Sequence, residues 1–330
     1  MQGLAFIGKI MDISPIPDAD KIVSTTVVCG NGGKWRTVMS KDEARTGGKV
    51  VVFLHDAIVP QLPQLAFMEK HKWRVRICRF KGALSEAVAL PVEQFPELVN
   101  YDIGTDVTEM LKVEKYQKPI PPNVQGEIEA AFPSDIPKTD EILYQKLEKG
   151  FLDDMLSKPL YIADKYDGMS VTYYLKDDHF GVCSRNYELK QNPNNIIFKL
   201  AEQYKIQNVL KAMGGNKAIQ CELIGEKIQG NPLKIKGNDI RVFDIYDIDE
   251  RQYVRVNKLI EYCDKYNLPM VAIVATGKMP LDEIIKYASG EYKEKPGITK
   301  EGVVVRTINE VYSPNLERYS FKVINPDYRG

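Results

Sequence analysis

The segment YIADKYDGMSVTYYL sets Lys165 two residues before Asp167 and just ahead of a turn glycine, Gly168. If the segment is extended, lysine and aspartate share one face. A lysine amine is a nucleophile only when neutral, a state that a partly buried pocket with a cationic neighbour or a metal can favour. Covalent chemistry on Lys165 is therefore one reading, and an ordinary exposed lysine in a turn is the other. Histidine offers little competition: His55, His71 and His179 stand in no metal-binding spacing and near no serine elbow. The cysteines at 29, 78, 183, 221 and 263 are odd in number and lack a CxxC pair, so neither a disulfide framework nor a structural zinc is expected.

The elements that must position such a lysine read as two blocks. At 330 residues, with 44% hydrophobic and 27% charged residues, the chain is soluble and globular in composition and long enough for two domains. LAFIGKIMDI, KIVSTTVVC, KWRTVM, GGKVVVFL, WRVRICRF and EAVALPV are short β-segments broken by turn chemistry, the pattern of a small barrel or sandwich over 1–115. The proline-rich YQKPIPPNVQG suits a linker over 116–127. In the remainder, 128–330, Leu143, Leu147, Phe151 and Met155 recur as on an amphipathic helix, and NIIFKLAEQYKIQNVLKAM and YVRVNKLIEYCDKYN also fit helices. Strands alternate with them: YIADK, SVTYYL, HFGVCS, AIQCELIG, RVFDIYDI, MVAIVA, GVVVRT and YSFKVIN. The class is α+β.

Forty-five basic residues balance forty-five acidic ones, so any attraction for nucleic acid must come from local clustering. Six basic residues fall between Lys70 and Lys81, and Lys72, Arg74 and Arg76 alternate with Trp73 and Val75. On a strand that alternation makes one face basic, able to track phosphates, although a solvated charged face has the same pattern. No apolar run approaches a membrane span, and the opening residues lack the features of a secretion signal, so a cytoplasmic location is expected.

Further residues follow Lys165 in a fixed order: Arg185 in CSRN, Glu222 in CELIG, Phe243 in VFDIYDI, Glu301 in KEGVVVR and Lys322 in YSFKVIN. With the KxDG of Lys165, Asp167 and Gly168, they resemble the successive motifs of the covalent nucleotidyltransferase superfamily. The β-rich front part, through IMDISPIPDADKI, GGKVVVFLHDAIVP and RVRICRFKGALSEAVALPV, is similar to the N-terminal OB domain of one group of ATP-dependent RNA ligases. The resemblance implies an OB-like barrel followed by an ATP-grasp-like nucleotidyltransferase domain of antiparallel sheets flanked by helices. It implies that AMP from ATP is carried on Lys165, moved to a 5′-phosphate and displaced by a 3′-hydroxyl RNA end, with nicked duplexes as substrate.

By the same resemblance Asp167, Glu222 and Glu301 hold Mg²⁺ or Mn²⁺ or its waters, and Glu222 has the ribose as its other option. Phe243 stacks on adenine with Val303 or Val304 on the opposite side, Arg185 meets the nucleotide and the RNA end, and Lys322 meets the α-phosphate. The local basic cluster, read from the residues alone, makes Lys72, Arg74, Arg76, Arg79 and Lys81 the candidate nucleic-acid face. Strand alternation adds that Arg318, Ser320 and Lys322 share a basic face that could meet phosphates, and a carboxylate at the end of a buried strand, as Glu301 is, needs a cation, water or metal. One departure stands out: many relatives end on KxK, whereas Ser320 and Ile324 flank Lys322 here. DNA ligases and GTP-using capping enzymes usually carry a further OB domain after the last motif, and only eight residues follow Lys322. An RNA ligase acting as a monomer is therefore the expectation, against those relatives and against a catalytically silent OB-fold RNA-binding protein.

Overall fold

The computed structural model describes residues 3–30, 32–120, 122, 124–312 and 318–329. It divides into two compact units. The first comprises Met1–Lys118, Leu143–Leu152 and Ile324–Asp327; the second comprises Pro119–Ile142, Asp153–Val323 and Tyr328–Gly330. Pro121 and Asn123 of the proline-rich stretch lie outside the described residues.

The first unit is built on a closed barrel of five strands, Ala5–Pro15, Ile22–Cys29, Gly33–Ser40, Ala87–Pro91 and Lys49–Leu54. The run KVVVFL explains why it closes. Val50, Val52 and Leu54 pack with Val27, Trp35 and Met39, while Val51 and Phe53 pack with Ile7, Leu65 and Phe95. A strand apolar on both faces can be buried on both, and this one has a hydrophobic cluster on each side. The barrel is the OB-like architecture expected for this part.

The run WRVRICRF departs from the expected strand. Lys72 and Trp73 both have left-handed backbones, at φ 53 and 60, and Lys72 ends a 3-10 helix over Pro63–His71. Only Cys78–Phe80 is a strand, hairpinned to Ala83–Ser85. Alternation survives briefly, with Val75 and Ile77 buried and Arg76 exposed between them.

The second unit holds a seven-stranded antiparallel sheet and a four-stranded sheet. The larger runs Ile128–Ala131, Tyr187–Leu189, His179–Cys183, Met169–Lys176, Lys217–Gly225, Asn238–Asp247 and Gln252–Tyr253. The smaller runs Ile273–Gly277, Leu160–Lys165, Gly302–Thr307 and Ser320–Ile324. Helices Ile196–Gln203 and Ile206–Ala212 lay Ile197, Leu200 and Leu210 onto Val171, Tyr173 and Cys221 of the larger sheet, and Val256–Tyr266 adds Leu259 and Cys263.

Two helix expectations are corrected. NIIFKLAEQYKIQNVLKAM is two helices, separated where Lys205 turns left-handed at φ 51. The four-residue spacing from Leu143 to Met155 is not one helix: it begins only at Lys149, and Leu147 is extended at ψ 141. Leu143 is buried with Trp35 and Val27 in the first unit, so its apolar character serves a different core from that of Met155. Among the described residues no helix is long and apolar enough to cross a membrane.

Candidate active site

Lys165 ends the Leu160–Lys165 strand, whose ladder with Gly302–Thr307 pairs Lys165 with Gly302, Ala163 with Val304 and Tyr161 with Arg306. The Lys165 amine meets Glu301 Oε2 at 2.6 Å, with the side chains 22% and 13% exposed. The amine is thus sheltered yet open to a ligand. Gly302 has φ 153, a backbone that residues with a side chain rarely adopt, so the glycine after Glu301 is a geometric requirement.

Beyond Lys165 the chain turns through YDG. A side chain on Gly168 would reach within 2.2 Å of the Leu223 carbonyl oxygen, and the Gly168 N–H donates to Glu222 Oε1 at 2.9 Å. The motif glycine therefore lets the turn press onto the Lys217–Gly225 strand, where Glu222 grips it. Asp167 is buried and accepts from the Tyr328 hydroxyl at 2.7 Å. Burial first, then the neighbouring Asp167 carboxylate, pushes the Tyr328 phenol well above its ordinary pKa, so it stays a donor.

Asp167, Glu222 and Glu301 surround this turn with different immediate partners. Among the described residues no three acidic, histidine or cysteine groups converge as a metal cage. The arrangement instead fits a hard cation held by one or two carboxylates, completed by phosphate oxygens and water, as Mg²⁺ prefers.

The pleat decides between the two valines. Directly opposed residues of an antiparallel pair share a face, so Val304, opposite Ala163, lies on the Lys165 side. Val303 pairs with Asp164 on the other side and is fully buried. Phe243 is half-buried and packs against the cluster of Tyr161, Ala163 and Ile224, which includes the Lys165 face.

Arg318 departs from the phosphate-facing expectation. It pairs bidentately with Asp244, both contacts 2.8 Å, and with Glu310 at 2.8 and 2.9 Å, while Ser320 donates to Glu141. A guanidinium neutralised twice does not offer its charge to phosphate. Lys322, half-buried in the Ser320–Ile324 strand, is fixed through its backbone N–H to the Ile142 carbonyl at 2.8 Å. Arg185 follows the His179–Cys183 strand and pairs with Asp140 at 2.6 Å, both side chains more than a third exposed. Such a pair is weak and readily exchanged.

In the first unit, Arg74 pairs with Asp56 at 2.7 Å and lies 3.6 Å over the Tyr116 ring. Arg79 pairs with Asp327 at 3.1 Å, and Lys81 donates to the Asp18 carbonyl. Lys72 and Arg76 are exposed. Local positive charge is felt nearby: burial, then Lys70 and Arg76, push the His71 imidazole below its ordinary pKa.

Sequence reading missed the residues that brace the lysine from behind. Asp164 is buried beside the motif, accepts from Lys300 Nζ at 2.7 Å and from the Lys293 N–H at 3.0 Å. Tyr292 donates to the Lys165 carbonyl at 3.0 Å and stacks on Tyr166 at 4.9 Å. The available signal was Asp164 itself, a carboxylate inside the apolar run YIADK.

An RNA ligase family model matches residues 158–324, and an OB-fold domain model matches residues 4–92. No curated protein matches the chain by sequence. Among solved structures, a Naegleria gruberi RNA ligase variant with ATP and Mn is 32% identical, with TM-score 0.83, over 98% of this chain and 97% of that one. A second variant, with AMP and Mn, is 33% identical, with TM-score 0.82, over 98% and 96%. The same organism's RNA ligase with PPi is 32% identical, with TM-score 0.82, over 98% and 97%. A lysine at a strand end, gripped by the motifs that follow it and matched in fold along nearly the whole chain, places this protein in the RNA ligase family.

Proposed function

We propose that the two units share one end-joining reaction on RNA, the second making and spending a lysyl-AMP and the first holding the nucleic acid. The protein is an ATP-dependent RNA ligase. The Naegleria structures carry ATP, AMP and PPi, which are the substrate, the transferred group and the leaving product of lysine adenylylation.

Lys165, having given up its proton, attacks the α-phosphorus of ATP. The nitrogen–phosphorus bond forms as the bond to the pyrophosphate oxygen breaks. AMP then passes to the RNA 5′-phosphate, and the 3′-hydroxyl attacks that phosphorus and releases AMP. A divalent ion, Mg²⁺ or Mn²⁺, supplies charge stabilisation at the phosphates when bound, with Glu301, Asp167 and Glu222 as the residues that would hold it or its waters. Phe243 and Val304 shape the place for adenine. Lys322 offsets charge at the α-phosphate, and Arg185 leaves its surface pair with Asp140 to meet the nucleotide or the RNA end. Positioning and charge do the catalysis, which accords with a site made of lysine and carboxylates.

Lys72 and Arg76, with Arg79 and Lys81, give the barrel a basic edge for duplex phosphates; Arg74 contributes through its packing on Tyr116. The preferred substrate is a nick whose 3′-hydroxyl strand is RNA, the working form is a monomer, and the compartment is the cytoplasm, which suits the five thiols. The observation that carries the reading is the 2.6 Å contact of the sheltered Lys165 amine with Glu301 above the Gly168–Glu222 grip. Incubation with alpha-labelled ATP or GTP and Mg²⁺ tests it. A denaturation-resistant label on Lys165 from ATP is expected, and label from GTP alone would overturn the reading. Nicked duplexes with RNA or DNA on either side then test the substrate, and equal sealing from a DNA 3′-hydroxyl would remove the preference for RNA.

A further inference from the structure

The ladder carrying Lys165 ends at its pair with Gly302. Past that point one chain enters the YDG turn, and the other runs back through Glu301 and Lys300 to the hairpin of Glu291–Tyr292 with Lys295–Thr299. Tyr292 bridges the two. Its hydroxyl donates to the Lys165 carbonyl at 3.0 Å and accepts from the Glu301 N–H at 3.3 Å. Its ring is 1% exposed and stacked on Tyr166 at 4.9 Å and 22°.

The phenol cannot drift, because its hairpin is tied down on either side. Lys293 N–H donates to Asp164 Oδ2 at 3.0 Å, and Lys300 Nζ meets Asp164 Oδ1 at 2.7 Å with both side chains buried. The Tyr166 hydroxyl donates to Glu294 at 2.9 Å. One side chain thus links the backbones of the two residues whose own side chains meet at 2.6 Å.

We infer that Tyr292 is a positioning residue for lysine adenylylation: its hydroxyl fixes the separation of the Lys165 and Glu301 backbones and so aims the Lys165 amine. It touches no reacting atom. The inference deepens the proposed function and rests on Lys165 being the nucleophile. In that step the Nζ–phosphorus bond forms, the bond to pyrophosphate breaks, and the amine proton passes to water. Joining a 3′-hydroxyl to an end that already carries AMP makes no bond at Lys165, so aim matters far less there.

Tyr292→Phe keeps the ring and its stack and removes only the bridge. A misplacement of about 1 Å can cost roughly a hundredfold in rate, so single-turnover labelling of Y292F by saturating ATP and Mg²⁺ is expected to slow by about ten- to a hundredfold. The half-saturating ATP concentration and the joining of chemically pre-adenylylated RNA should stay at parental values. Tyr166→Phe cuts only the outer tie to Glu294, leaves the bridge and both Asp164 ties in place, and should slow labelling far less than Y292F. Parental labelling by Y292F, equal slowing of both steps, or equal slowing by Y166F each overturns the inference. Should Y292F fail to fold, 4-fluorophenylalanine at 292 keeps the ring and fills the space of the hydroxyl without its donor; an unchanged labelling rate then overturns it. If the parent takes no label, the reading of Lys165 itself fails.

Discussion

The Gly302–Thr307 strand borders two charged regions of opposite character. At its start, Lys165 and Glu301 make a single ion pair that remains partly accessible. Toward its end, the buried Arg306 and the largely sheltered Arg318 sit among Glu141, Asp244 and Glu310, with contacts of 2.6 to 3.0 Å. Burial disfavours both guanidinium charges, but the carboxylates, Asp244 foremost, more than offset it and hold each pKa above its ordinary value. The first region is one lysine with one partner to exchange. In the second, each arginine meets two carboxylates and Asp244 meets both arginines. The contrast separates charge kept for chemistry from charge kept for architecture, although both border one strand and read alike as basic residues.

Substitution at the two ends should fail in opposite ways. Lys165→Ala is expected to abolish adduct formation and sealing, seen as loss of the labelled band and of the adenylyl mass increment, while stability falls by less than at Arg318, because the Lys165–Glu301 pair keeps partial access to water. A parent that takes no label, and a K165A protein that behaves like it in every assay, would restore the silent OB-fold reading. Arg318→Met should do the reverse. Removing one member of a buried set leaves uncompensated charge, and about 3–5 kcal/mol of stability should disappear from denaturant unfolding curves. An R318M protein of parental stability would erase the distinction drawn here.

Glu301→Gln sharpens the boundary. It removes the charge beside Lys165 without removing the shape, and adenylylation should fall by roughly 10²–10³, the scale of losing one preorganised electrostatic partner, with little change in stability. The smallest effect concerns pH. Burial raises the Glu310 pKa, and Arg318 only partly restores it, so the folded protein holds that proton more tightly than the unfolded chain. Its contribution to stability is full below the ordinary carboxylate range and is lost as pH rises through the raised value. Glu310→Gln should flatten the fall of melting temperature with rising pH across the mildly acidic range, by about 1 kcal/mol or less, the worth of one pKa unit.

Motif order and the β-segments of the barrel were legible in the sequence, because a strand such as KVVVFL and a motif such as KYDG are local statements. Position across strands was not. Whether Val303 or Val304 faces the nucleotide depends on which residue opposes Ala163, a register set between segments about 140 residues apart. Arg318 looked like a phosphate ligand beside Lys322 until folding brought Asp244 and Glu310 to it. Tyr292 had no signal at all, since its partners are a backbone carbonyl 127 residues earlier and an N–H nine residues on. The four-residue spacing from Leu143 misled because residues bound for different cores can share a period by chance.

The thiols have a practical consequence. Cys29, Cys183, Cys221 and Cys263 are buried, and burial pushes the Cys29 and Cys263 thiols up to about 12 and the other two higher still. Thiolate is the reactive form, so alkylating reagents at neutral pH should find these four nearly inert. Cys78 alone is partly accessible, immediately before Arg79 in the basic hairpin. A maleimide dye should therefore label the native chain at one position, next to where duplex phosphates are proposed to dock, without any engineered cysteine.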